Sequence, residues 1–324
     1  AGDATVPASL MQLLLNGNEV GKTYSFDNLK FTTQWLRCFS LSYSRELLSS
    51  DDGIFKQISA GLTLKYFNGF AFSSLEKVKS RFYTGEKNQL NASIEALGYS
   101  SFSDDMGVRY SFDSSATSVY NFNYFTKPAG SGFGFDLGFS FILDSGFTLG
   151  LSITDFGYVN WIANVAEHTS EGNIIIDDLF NQGQIDSLTN FGKMHSKKIS
   201  NYNTGLPTTL RFGIAVELSR YLPVIPGTLY TLFDYNQGFN DVPSNSTTPR
   251  VSLGTYWLPY DYLPSLSMGI SYDQSGHLRW STGLGYSTSL LEIHLSTFDI
   301  LPLIAPNYFK PQVSFALTLA WKII

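Results

Sequence analysis

The stretch from Phe133 to Ile153 constrains this chain more than any other. Phe133, Phe135, Leu137, Phe139, Phe141 and Leu143 alternate with Gly134, Asp136, Gly138, Ser140 and Ile142. After Asp144-Ser145-Gly146 the alternation resumes through Phe147, Leu149, Leu151 and Ile153. A two-residue period places successive side chains on opposite faces of a β-strand, and a short Asp/Gly turn between two such runs is hairpin chemistry. One face of this hairpin is a continuous apolar band and the other is small or polar. A sheet in lipid needs that division: grease outside, small or polar groups within.

The same division recurs. Leu210, Phe212, Ile214, Val216 and Leu218 oppose Arg211, Gly213, Ala215, Glu217 and Ser219. Comparable runs fit 228–236, 250–258, 265–273, 278–286, 290–298 and 312–323, with weaker ones at 32–47, 54–70, 72–84, 88–101 and 119–126. Only 15% of residues are charged and 15% are aromatic, against about 25% charged in a soluble domain. A spanning helix needs roughly 18 apolar residues, and the longest uncharged run, Ala4 to Asn18, is shorter and holds a proline and two asparagines. Since lipid requires every backbone polar group to be satisfied internally, the remaining membrane fold is a closed barrel. The expected class is all-β, a transmembrane antiparallel β-barrel of about 14 strands, in the bacterial outer membrane.

Connection lengths agree with that reading, because such barrels carry short periplasmic turns and long outer loops. Asp144–Gly146, Tyr221–Gly227, Leu258–Pro264 and Ser287–Ser289 are short. Gly157–Pro207, Gln237–Pro249 and Asp299–Pro311 are long, and Gln274–Gly276 is the exception. Tyr221, Trp257, Tyr260, Tyr262 and Trp321 fall at strand ends, where a headgroup belt of aromatics belongs. Residues 1–30 are read as an N-terminal element with a short amphipathic helix around Pro7–Leu15, either in the lumen or at the periplasmic rim. Residues 31–324 form the barrel, with one long extracellular loop over about 157–207. Residue 1 is expected to follow a processed or preceding N-terminal region.

A net charge of −6 with scattered lysines offers no basic stripe, so nucleic acid is not an expected partner. The single Cys38 reads as a small buried strand residue. Arg211, Glu217, Arg279, Glu292 and His294 fall at inward positions and are expected to line the lumen. Glu292, His294 and Ser296 share one strand face as a nucleophile-and-base set would, but same-face neighbours lie roughly 6.6–7 Å apart, beyond hydrogen-bond reach unless the side chains lean together. They read as lining that meets Arg211 or Arg279, and no enzymatic activity is expected. His168 and His195 lie near Glu167, Asp177 and Asp178 without the spacing of a metal site, so neither metal nor cofactor is expected. Ile174, Ile175, Ile176, Leu179 and Phe180 form an apolar cluster in the long loop, expected as a hairpin or short helix that caps the mouth or binds a partner.

The phrases Gly61–Gly69 (GLTLKYFNG), Asp155–Trp161 (DFGYVNW), Gly227–Asp241 (GTLYTLFDYNQGFND) and Arg250–Trp257 (RVSLGTYW) resemble the poorly characterised outer-membrane barrels of Bacteroidota and relatives that belong distantly with FadL and PorV proteins. The resemblance implies a 14-stranded barrel with an N-terminal lumen element. FadL-type members pass hydrophobic molecules through a lateral opening, and PorV-like members hold or shuttle proteins in secretion. The expected function is uptake or binding of a hydrophobic small molecule at the outer membrane. The alternative is a structural or accessory subunit of an envelope complex. Expected partners are outer-membrane lipid and lipopolysaccharide, a hydrophobic ligand, and other envelope proteins.

Overall fold

The structure is a computed structural model that describes residues 2–86, 89–111, 114–118, 126–177, 181–191, 193–260, 262–273, 278–304 and 316–321. In chain order its elements are β1 (Gly2–Thr5), α1 (Ala8–Asn16), β2 (Thr23–Ser25), β3 (Lys30–Ser49), β4 (Phe55–Thr84), β5 (Leu90–Phe102), β6 (Val108–Ser111) and β7 (Ser114–Ser118). There follow β8 (Gly130–Leu143), β9 (Phe147–Trp161), β10 (Ala166–Ile176), α2 (Gln182–Asn190), β11 (His195–Lys198), β12 (Tyr202–Gly205), β13 (Thr209–Glu217), β14 (Thr228–Gly238) and β15 (Arg250–Leu258). The chain continues through β16 (Ser265–Asp273), β17 (Leu278–Ser287), β18 (Leu291–Thr297), α3 (Leu301–Ile304) and β19 (Ala316–Trp321). Seventeen strands form one antiparallel sheet, and β6 and β7 pair separately. Among the described residues no helix is long and apolar enough to cross a membrane.

The wall runs β3–β4–β8–β9–β13 and then strand by strand to β19, antiparallel at every step. Register proves the two faces. Leu253 stands opposite Phe233 and Ile270, while Ser252 stands opposite Asp234 and Ser271. On the outward face Leu64, Phe133, Leu253 and Ile270 are all exposed. Among the described residues nothing covers them, so the outward face is a continuous exposed apolar surface. The connections after β3, β8, β13, β15 and β17 are short and gather at one end of the wall, and the long excursions lie at the other, where the short connection from β16 to β17 is the exception. Along β8 the apolar positions Phe133 to Leu143 span about 34 Å, or about 25 Å at a usual barrel tilt, close to the height of an outer-membrane apolar band.

The sheet is not closed: among the described residues β3 and β19 do not pair, and both run from the long-loop end to the short-turn end. Cys38 lies on β3 beside this open edge and is exposed, not buried, because among the described residues nothing packs over the inward side of this edge strand. The runs 54–70 and 72–84 form one strand, β4. A bulge at Phe70, between Gly69 opposite Leu36 and Ala71 opposite Trp35, lets it pass from wall to extension without a turn. Phe70 is fully buried between Trp35 and Arg37.

The expected long loop at 157–207 is largely structured. β9 continues to Trp161, and β10, α2, β11 and β12 follow. β10 pairs along its whole length with β5, more than sixty residues earlier in the chain, and β5 pairs with the upper half of β4. The run 119–126 lies outside the described residues except for Thr126. The helix expected around Pro7–Leu15 is α1. It sits at the long-loop end, beside β2, and buries no residue, so it neither fills the lumen nor lies on the short-turn rim.

Candidate functional site: the inner wall and its mouth

The inward face is made of small residues. Ser44, Gly61, Gly138, Ser140, Gly150, Ser152 and Gly213 border one shallow hollow, and a Cβ added at Gly150 would meet nothing within 4 Å. Glycine and serine here leave the interior free of side-chain filling. Towards the long-loop end one cross-strand line carries Ser152, Arg211, Asn236, Arg250 and Asp273, each opposite the next. Arg279 stands one step further along, its guanidinium 3.0 Å from Asp273 and 5.3 Å from the centre of the Phe298 ring.

All five inward candidates from the sequence occupy the inward face, but they are not brought together. Glu217 pairs with Arg220 at 2.6 Å at the short-turn end. Glu292 accepts from Ser287 at 3.2 Å, and the His294 ring lies where a Cβ on Gly285 would be, 2.5 Å from Nδ1. Among the described residues His294 has no hydrogen bond to Glu292 or Ser296. The expected meeting of Glu292 and His294 with Arg211 or Arg279 does not occur. Arg279 lies six residues up the strand from Gly285, about 20 Å away, and its partner is Asp273.

The aromatics expected at a headgroup belt lie at one end of the wall. Tyr221, Tyr260, Tyr262 and Trp321 are exposed at the short-turn end, Tyr260 and Tyr262 stack at 5.5 Å, and Trp257 donates its indole N–H to Pro226 O at 2.9 Å. A second aromatic band went unnoticed in the sequence. Phe39, Tyr66, Phe133, Phe135, Phe156 and Tyr158 stand exposed on the outward face near the long-loop end, with Tyr66 and Phe133 at 5.2 Å and Phe135 and Phe156 at 5.1 Å. Together with Leu41 and Leu64 they line an outward groove of about 630 Å³.

Behind that groove the wall is interrupted. Register shifts between Phe135 and Leu137, opposite Phe156 and Ile153, and Asp155 takes a left-handed conformation with φ +54°. Its N–H donates to Asp136 Oδ1 at 2.7 Å. Lys65 reaches Asp136 at 2.8 Å and Asp155 at 2.6 Å, with its side chain 16% exposed. One cation against two carboxylates leaves the cluster short of a positive charge, and Thr208 pins the bulge by donating to Asp155 O at 2.8 Å. The bulge hides this cluster from sequence reasoning, since it breaks the parity that assigns a face.

The long-loop end is held by a core of Phe67, Phe72, Ala129, Val159, Trp161, Val165 and Leu206. Trp161 is fully buried, stacks on Phe72 at 5.4 Å and donates to Thr204 at 2.9 Å. Tyr202 stacks on both Phe72 and Tyr99. Burial, then its hydrogen bond to Glu76, holds the Tyr202 phenol far above the usual range. His168 is bonded to Ser100 and Ser196 at 2.7 and 2.8 Å, and burial pushes its imidazole below its ordinary value. His195 sits opposite Thr169 in the β10–β11 pair. Among the described residues no three His, Cys, Asp or Glu side chains could hold a metal ion, and Asp178 lies outside them. Ile174, Ile175 and Ile176 belong to β10, with Ile176 buried and Ile175 exposed. They form neither a helix nor a separate cap. Leu179 and Phe180 lie outside the described residues.

A family of unknown function, DUF5723, matches residues 1–297. The chain belongs to that family. It matches no curated protein and no solved structure.

Proposed function

We propose that this chain forms the wall of an outer-membrane β-barrel that takes up or binds a hydrophobic small molecule, in the manner of the FadL-type proteins it resembles. Antiparallel closure between β3 and β19, which run the same way, takes an odd number of further strands, and three would give about fourteen. One observation carries the uptake reading: the outward aromatic groove of Phe39, Leu64, Phe133 and Phe156 lies against the place where the β8–β9 ladder is interrupted at Asp155. A molecule dissolved in lipid would meet an apolar surface there, with the shifted β8–β9 register and the Lys65 cluster immediately behind it. Burying such a molecule gains about 25 cal/mol per Å² of apolar surface.

A specific observation favours a second reading, an accessory barrel of an envelope complex as in PorV-like proteins. At the long-loop end α1 exposes Met11, Leu14 and Leu15, the last two at 70% and 75%, which is an apolar patch suited to a protein partner. Extraction of native membranes in mild detergent, followed by mass spectrometry, separates the two. A barrel monomer carrying apolar molecules supports uptake. Stoichiometric protein partners on an empty barrel replace it with the accessory role.

A further inference from the structure

We propose that Arg211, Arg250 and Arg279 form a binding site for an oxyanion, phosphate or carboxylate, inside the long-loop mouth. The site rests on the register of the wall and not on which molecule crosses it. Arg211 and Arg250 flank Asn236 on one cross-strand line, so their backbones stand about 10 Å apart. Two inward guanidiniums at that spacing reach a single tetrahedral or planar oxyanion between them. Both arginines border a cavity of about 640 Å³ with Arg279, Asn236, Asn245 and Thr248. Guanidinium is the side chain suited to this work, because its planar fork of donors matches phosphate and carboxylate and stays charged at every physiological pH. Arginine rings are also how pores select anions.

Three further observations point the same way. The Nε of Arg250 is buried with no hydrogen-bond partner, a donor whose desolvation nothing in the protein offsets. Among the described residues no ion pair engages Arg211 or Arg250, although acidic groups are near: Asp273 is committed to Arg279, Asp234 lies one inward step below the line, and Asp3 also borders the cavity. The rim is also fixed in advance. Asn245 donates to Thr208 O at 3.0 Å and to Asn240 at 2.8 Å, and accepts from Thr209 at 3.1 Å. Gly238 admits this fold of the loop, since a Cβ there would fall 2.3 Å from Ser246 O. The neighbouring inward residues Ser152, Ser252 and Ser271 add hydroxyls, so the surroundings of the anion are polar.

The test is titration of the full chain in detergent micelles with inorganic phosphate, and separately with acetate and octanoate, by calorimetry. Saturable phosphate binding that weakens at least tenfold in Arg211→Gln/Arg250→Gln, and is unchanged in Arg220→Gln at the opposite end, is the expected result. Octanoate binding far tighter than acetate, lost in the same double variant, also upholds the site and assigns the oxyanion to an amphiphile's head. Binding of equal strength in all variants means an adventitious ion only and overturns the proposal, as does the lack of saturable binding by any of the three. Ser252→Asp keeps both arginines and sets a carboxylate beside them, so it should abolish binding even where the double variant fails to fold. Heat-modifiable migration of each variant in gels reports the folded barrel separately from the site.

Discussion

Replacing Trp161 by alanine should unlock the long-loop end of the wall, and the structure gives the size of the effect. The indole is fully buried, and burial of a side chain of 150–250 Å² at about 25 cal/mol per Å² contributes about 4–6 kcal/mol. The stack on Phe72 adds about 1 kcal/mol. Loss of the bond to Thr204 leaves a hydroxyl to be satisfied by water that can enter the cavity. Partial collapse of the site offsets some of this, so a loss of about 3–5 kcal/mol is expected. The assay is urea unfolding in lipid vesicles, followed by circular dichroism. Gly69→Ala supplies the internal check, because its added Cβ would sit 2.5 Å from the Trp161 ring. Alone it should destabilise the protein. In the Trp161→Ala background it should cost almost nothing, because the ring it strikes is gone. Additive losses, or a loss below about 1 kcal/mol for Trp161→Ala, would refute the packing argument.

Three other outcomes follow from the same structure. Leu253→Arg, on the outward face at mid-strand, should cost about 2–4 kcal/mol in vesicles, whereas Ser252→Arg on the inward face should cost far less; equal losses by urea titration would show that the faces are misassigned. Burial lowers the imidazole pKa of His168, so the unfolded chain binds its proton more readily. That contribution to stability is complete above the unfolded value of about 6.5 and is lost as pH falls through the depressed folded value; proteolysis of the β5–β10–β11 extension should accelerate at pH 5, and His168→Gln should remove the dependence. Cys38, the one cysteine and exposed on the inward side of β3, should react with a membrane-impermeant maleimide in intact outer membranes, and protection equal to that of a lipid-facing site would place it wrongly.

Where one face is uniformly apolar and the other small or polar, parity alone reads the wall. The β8–β9 hairpin, its Asp144–Gly146 turn and the runs at 250–258 and 265–273 are where the alternation puts them, and the run from Leu210 holds to Glu217, beyond which Leu218–Arg220 wind into a 3-10 turn and Leu218 and Ser219 leave the strand. The reading fails where a bulge shifts parity or where both faces meet water. The bulge at Phe70 made one strand look like two, and the one at Asp155 concealed the Lys65 cluster. β10 has polar residues on both sides and three consecutive isoleucines, so its pairing with β5 leaves no period-two signature. Arg211 and Arg279 were legible as inward residues of long alternating runs. Arg250 begins its strand, and only the cross-strand register places it beside Arg211.

The most direct test of the two-faced membrane wall is cysteine scanning of β15 from Val251 to Trp257, one site at a time in a Cys38→Ser background, with an impermeant maleimide on intact outer membranes. The account requires positions 252, 254 and 256 to label and positions 251, 253, 255 and 257 to stay protected until detergent is added. Uniform labelling along the strand, or the opposite phase, would contradict it.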